Sequence, residues 1–260
     1  MKSYIHLGNE LLENGQEVKH ERTGKECLTD TGYVWKVNVS KYFPLLTTKK
    51  MEFKNICHEL IWMLSGSENI KYLRRNRVKI WNDWADKNHE VGPIYGYQWA
   101  HMDPKGHQIK LMIENIKKDP TSRRHLVTAW NPEDIPQMAL PPCHYSFKVD
   151  IINDKIHGSF VMRSSDYMIG LPWNMAFYTL LFKIIGQQTG YPVERVNANI
   201  LNLHMYKEHI SSFQEQRSRT VLELPTVHIT PREDIQKYTI DDFTLMEYEH
   251  HKRIKLEVAV

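Results

Sequence analysis

The sequence predicts an α+β fold: one domain over residues 1–260, built on a mixed β-sheet packed by helices. Three observations carry that reading. Helical and strand patterns interleave without a regular strand–helix–strand rhythm, which argues against an all-parallel sheet. The segment MAFYTLLFKIIGQQTG (175–190) is apolar almost all round, as a central buried helix should be. No linker, low-complexity tract or internal repeat divides the chain, and 260 residues suit one large domain.

The elements follow in order. The opening MKSYIHLGNELLENGQEV reads as an amphipathic helix and lacks the apolar core of a signal peptide. Residues 33–39 read as a strand. FKNICHELIWMLSG (53–66) sets Ile56, Leu60, Ile61, Met63 and Leu64 at helical spacing and ends at Gly66. HQIKLMIENIKKDP (107–120) is a surface helix stopped before Pro120. Further strands are expected at 124–130, 144–152, 156–163 and 196–203. An Asn153-Asp154 turn should join 144–152 to 156–163 as a hairpin.

Composition narrows the function classes. No apolar run approaches the roughly 20 residues of a membrane span. The net charge of +3 is too small to point by itself to nucleic acid. Cys27, Cys57 and Cys143 are widely spaced, which makes neither a disulfide framework nor a zinc site and suggests a reducing, cytoplasmic setting. The 14 histidines are scattered, none paired at metal-ligand spacing beside a carboxylate, so no metal is expected.

Chemistry concentrates in a few stretches. MALPPCHYSF (138–147) puts Cys143 behind Pro141-Pro142, which hold its approach extended and stiff. On the residues alone this is either a buried structural cysteine or a nucleophile. DPTSRRHLVTAW (119–130) places Arg123 beside Arg124 before a strand. Adjacent strand residues point to opposite faces, so both reach one anion only from a turn or an edge. With Arg163 and Ser164 in RSSD (163–166) and Arg22 in ERTGK (21–25), they form a guanidinium and hydroxyl set suited to a phosphate monoester dianion. A solvated basic surface is the alternative. In GLPWN (170–174), Asn174 is either a helix N-cap or an amide reader of a uracil edge, whose O4 accepts and N3–H donates.

These motifs occur together in a known order. FPLLTTKK, HELIWMLSG, IWNDWAD, GPIYGYQW, DPTSRRH, AWNP, MALPPCH, RSSDYMIGLPWN, LHMY and the terminal IKLEVAV stand in register with the thymidylate synthase family, which the chain resembles from near its start to its last residue. The resemblance implies a homodimer joined through the sheet face, and reductive methylation of dUMP with 5,10-methylenetetrahydrofolate giving both carbon and hydride. It implies that Cys143 is the nucleophile, and that Arg22, Arg163 and Ser164 hold phosphate within one subunit while Arg123 and Arg124 reach the neighbouring site. Asn174 then reads the pyrimidine, and His204 with Tyr206 hold the deoxyribose hydroxyl. Glu59, Tyr95 and His144 organise water and proton transfer, with Asp166 also counted in the catalytic set. Lys49, Trp81 and Asp166 face the folate, Trp84 walls the same cleft, and Val260 ends the flap that seals it.

The implied chemistry matches the residues. A thiolate attacks C6 of uracil, because the conjugated alkene needs a strong, soft nucleophile, and nearby arginine charge favours that form. A carboxyl such as Glu59 on a largely apolar helix should have a raised pKa and suit proton traffic at O4. The chain also departs from the family pattern: KECLTDTG replaces the usual phosphate-loop continuation in residues 22–32, Met162 stands for a glutamine, Asn202 for an aspartate and Ala100 for an arginine. The tail YEHHKRIKLEVAV lacks the prolines often seen there.

Two other functions fit parts of the sequence. A dUMP hydroxymethylase of the same superfamily adds water instead of hydride and releases tetrahydrofolate; the VAV terminus argues against it, because a sealing flap excludes water. An RNA-binding regulator would use the basic stretch KYLRRNRVK (71–79), but that stretch has one aromatic and reads better as a solvated helix face.

Overall fold

The computed structural model describes residues 2–21 and 23–257, and a seven-stranded mixed sheet lies at its centre. In chain order come helix α1 (Lys2–Asn14), strands β1 (Gln16–Lys19) and β2 (Glu26–Asn38), then helices α2 (Phe53–Leu64), α3 (Lys71–Arg75), α4 (Tyr95–His101) and α5 (Gln108–Lys118). Strands β3 (Leu126–Thr128), β4 (His144–Ile152), β5 (Lys155–Met162) and β6 (Ser165–Asp166) follow, then helix α6 (Gly170–Thr189) and strand β7 (Val193–Tyr206). Helix α7 (Ile210–Ser218) precedes a separate hairpin of β8 (Thr226–Ile229) and β9 (Phe243–Met246).

The sheet runs β1-β2-β7-β5-β4-β3, with β6 beside β7. Strands β5 and β6 are parallel to β7, and the other pairs are antiparallel. A parallel pair needs a crossover, and α6 supplies it between β5 and β7. Alternation along the strands separates two faces. Trp35, Phe147, Phe160 and Ala198 point into the core, where Phe160 stacks on Tyr178 of α6 at 4.2 Å and Trp35 meets Tyr4 of α1 at 5.5 Å. The opposite face carries Ser146, Ser159, Val161 and Asn199, half-buried, and the exposed Val34, Leu126 and Leu201.

The mixed α+β architecture, the hairpin and the buried central helix match the sequence-based expectations. Asn153 and Asp154 both take positive φ, 50° and 55°, the two-residue turn that suits the twist of paired strands. Several boundaries differ. The first helix stops at Asn14, and Gln16–Lys19 instead pair with Glu26–Thr29; this strand is exposed throughout, so no apolar alternation marks it. KECLTDTG thus forms the start of β2, well before residue 33, its polar residues hiding the strand. Strand β3 covers only Leu126–Thr128 of the expected 124–130, because Arg123 and Arg124 sit in the preceding turn. Strand β7 extends past 196–203 at both ends by pairing with β2 and β5.

Helix α6 begins at Gly170, ahead of the expected 175, because Asp166 Oδ1 accepts the N–H groups of Met168 (2.7 Å) and Ile169 (3.1 Å). Pro172 fits that first turn, where its missing N–H has no intrahelical partner to lose. Asn174 therefore lies inside the helix, which removes the N-cap reading of its side chain. Helices α2 and α4 approach closely enough that a Cβ on Gly96 would fall 2.1 Å from the Met63 carbonyl oxygen. That contact brings Glu59 on α2 and Tyr95 on α4 to one place.

Candidate active site

Cys143 stands immediately before β4, and two backbone bonds fix its place. Its N–H donates to the Tyr95 hydroxyl at 2.8 Å, and its carbonyl accepts the Arg163 N–H at 2.8 Å. The Arg163 guanidinium donates to the carbonyls of Pro142 (3.0 Å) and Pro141 (2.8 Å), and its Nη2 lies 3.7 Å from Cys143 Sγ. The two prolines therefore do more than stiffen the approach. Their extended carbonyls aim a fixed positive charge at the sulfur, the setting in which a cysteine serves as a nucleophile.

Tyr95 adopts φ 24°, a conformation an aromatic residue takes only under constraint, at a cost of order 1–3 kcal/mol. The constraint aims its hydroxyl at residue 143 and its ring at His144, stacked at 4.2 Å. His144 Nδ1 lies 2.9 Å from the Tyr178 hydroxyl. Burial pushes the His144 pKa down to about 3, so the imidazole is neutral near neutrality and contributes through hydrogen bonds. Burial also holds the Tyr95 and Tyr178 hydroxyls well above the usual tyrosine range.

Glu59 is buried beside this group. Its Oε2 accepts the Trp173 indole N–H at 2.6 Å, and its Oε1 accepts that of Trp81 at 2.8 Å. Burial raises its pKa to about 7 against the opposing pull of the two indole bonds, so the raised value expected from an apolar helix is present. Trp84 meets Trp81 edge-on at 5.8 Å. On α6, Asn174 turns its amide nitrogen to within 4.0 Å of the buried Met162 sulfur.

Ser164 Oγ lies 3.4 Å from His204 Nδ1, which also meets Asn202 Oδ1 at 3.3 Å. Asn202 in turn donates to Thr29 Oγ1 at 2.8 Å, so Asn202 helps orient His204 from its own strand. The Tyr206 ring lies edge-on to His204 at 5.4 Å. Lys49 is buried, its ammonium bonded to the Met168 carbonyl; burial lowers its pKa to about 8 while Asp166 pulls the other way.

Arg123 and Arg124 stand apart from these residues. Leu126 is level with Lys148 and His125 bonds to Val149, so the arginine pair lies near Asp150, far along β4 from Cys143. At roughly 3.3 Å per residue, about 20 Å separates them from the sulfur, beyond the reach of any side chain. Both are exposed and make no side-chain hydrogen bond or ion pair with a described residue. Arg22 and Val260 lie outside the described residues. The basic stretch 71–79 forms α3 and the turn after it, where Arg74 is engaged by Asn82 and His89.

Two residues of this site escaped the sequence reading. Tyr178 follows Asn174 by one helical turn and so shares its face, a spacing the sequence did display. Trp173 carried no such sign, because its partner Glu59 is distant in the chain. Among the described residues no cluster of three or more His, Cys, Asp or Glu is placed to hold a metal, and no helix is long and apolar enough to cross a membrane.

Comparison with known proteins shows the family. The family model described as Thymidylate synthase matches residues 2–260. A thymidylate synthase of Wigglesworthia glossinidia brevipalpis is 39% identical over 265 residues, covering all of both chains. The whole chain, with Cys143, Glu59 and Asn174 gathered at one end of its sheet, belongs to the thymidylate synthase family.

Proposed function

We propose that this chain methylates dUMP to dTMP with Cys143 as nucleophile. The observation that carries this reading is the Cys143 sulfur set beside the Arg163 guanidinium, which the two proline carbonyls hold, while the Cys143 N–H is bonded to the Tyr95 hydroxyl. Cys143 adds to C6 of the uracil, Asn174 holds O4 and N3–H, and Glu59 moves a proton at O4 through water. Neutral His144 and Tyr95 orient that water. Ser164 and Arg163 receive the phosphate, and His204 with Tyr206 holds the sugar hydroxyl. The Trp81 and Trp84 rings beside Glu59 offer flat apolar surface that fits a pterin, with Lys49 and Asp166 at the start of α6. Methylenetetrahydrofolate supplies the one-carbon unit and the hydride. The full-length family match favours this reaction over hydroxymethylation.

A homodimer completes the reading. Val34, Leu126 and Leu201 are exposed on one sheet face, and the Asn197 Oδ1 on that face is buried with no partner among the described residues. A second copy packed there would satisfy both features and bring Arg123 and Arg124, whose side chains bond to no described residue of their own subunit, to the neighbouring phosphate.

Mixing subunits tests both parts together. Cys143→Ser homodimers should make no dTMP, and Arg124→Ala homodimers little at low dUMP. Random exchange should restore about a quarter of wild-type sites, since each heterodimer holds one intact pair. Lys25→Ala should leave dUMP binding unchanged, because the Lys25 ammonium is paired at the surface with Glu208. Confirmed exchange by mass without recovered dTMP would contradict the shared site.

A further inference from the structure

Trp173 donates to one oxygen of Glu59 and Trp81 to the other. The two indoles come from different parts of the fold, Trp81 from the segment after α3 and Trp173 from the first turns of α6, so the carboxylate on α2 is gripped from two sides. Trp173 also precedes Asn174, so one turn of α6 supplies both an anchor for Glu59 and the amide facing the base.

We propose that Trp173 is a positioning residue for Glu59, and that the two indoles together fix the carboxylate plane for proton exchange with water at the pyrimidine. The proposal rests on the assignment of Glu59 to proton transfer. An indole N–H only donates, so it can neither deliver nor accept the transferred proton. Its effect is to hold Glu59 in place and to favour the charged form, as short bonds to a carboxylate do. Without Trp173, Oε2 loses its donor and the carboxylate is free to rotate.

The surroundings leave this task to the indoles. The titratable groups set toward Glu59 are Tyr95 from α4 and Tyr178 from α6, both held neutral by burial. His144 of β4, stacked behind Tyr95, is neutral as well. No cationic side chain among the described residues bonds to Glu59. The two indole bonds therefore oppose burial in setting the carboxyl at about 7.

The direct test is a pH titration of the indole N–H resonances in the full-length wild-type protein labelled with 15N-tryptophan. Of the seven tryptophans, Trp81 and Trp173 should move together with a common midpoint of about 7, and both should become static in Glu59→Gln. Trp81→Phe and Trp173→Phe assign the two signals. In kinetics, Trp173→Phe keeps a ring in place but removes the donor, so Glu59 ionises less readily. The acidic limb of kcat/KM should then move to higher pH by roughly one unit, with kcat at neutral pH falling about fivefold as the ionised fraction drops. The KM for dUMP should change less than twofold. A Trp173 signal that stays fixed while Trp81 titrates, or a Trp173→Phe profile superimposing on wild type, overturns the proposal. The wild-type titration decides even where Trp173→Phe fails to fold. Undiminished turnover in Glu59→Gln would instead overturn the role of Glu59, and the indole titration would report separately on the clamp.

Discussion

Cys143→Ser should bind dUMP nearly as well as wild type and lose turnover by roughly a thousandfold or more. The site is held by the backbone of residue 143, through the Tyr95 hydroxyl and the Arg163 N–H, and both bonds survive the change. What disappears is the sulfur beside the guanidinium. A serine hydroxyl at neutral pH is too weak a nucleophile for C6 of uracil. Cys27 and Cys57 cannot substitute, since both are buried and burial raises the pKa of each thiol. Their alanine variants, once shown to be folded, should keep turnover. Equilibrium binding of dUMP and steady-state rates in parallel check this. Near-normal kcat in Cys143→Ser would assign the nucleophile elsewhere.

The second large effect concerns the choice of base. Asn174→Asp should lose its preference for dUMP and gain activity on dCMP. The amide offers a donor to O4 and an acceptor to N3–H, whereas a carboxylate offers acceptors only and meets the exocyclic amine of cytosine instead. Met162, 4.0 Å behind the amide nitrogen, is a weak sulfur acceptor and competes little with a base for that N–H. Each mismatched buried hydrogen bond costs about 1–3 kcal/mol, so the ratio of kcat/KM for the two nucleotides should change tenfold or more. An unchanged ratio would show that Asn174 does not read the base.

What the sequence displayed, and what it hid, follows from the range of the interactions. Pro141-Pro142-Cys143 was legible because the prolines act on their own neighbours. The long helix was legible from its apolar composition, but its start was not. Gly170 begins the helix because a carboxylate in the two-residue strand β6 accepts its entering N–H groups, and neither so short a strand nor that bond has a periodicity to detect. The β1–β2 hairpin was missed since β1 is exposed throughout and the start of β2 is mostly polar, so neither shows apolar alternation. The Trp173–Glu59 bond joins residues 114 positions apart, and only the packing of α6 against α2 creates it. For Arg123 and Arg124, strand alternation raised a geometric difficulty, and the pairing register turns it into a distance their own subunit cannot span.

One product analysis tests the central claim most directly. The wild-type protein is incubated with dUMP and methylenetetrahydrofolate carrying deuterium as the transferable hydride, and nucleotides and folates are resolved by mass. The account predicts dTMP with one deuterium in its methyl group, formed one-for-one with dihydrofolate. Formation of 5-hydroxymethyl-dUMP with tetrahydrofolate, its new oxygen drawn from water, would contradict it.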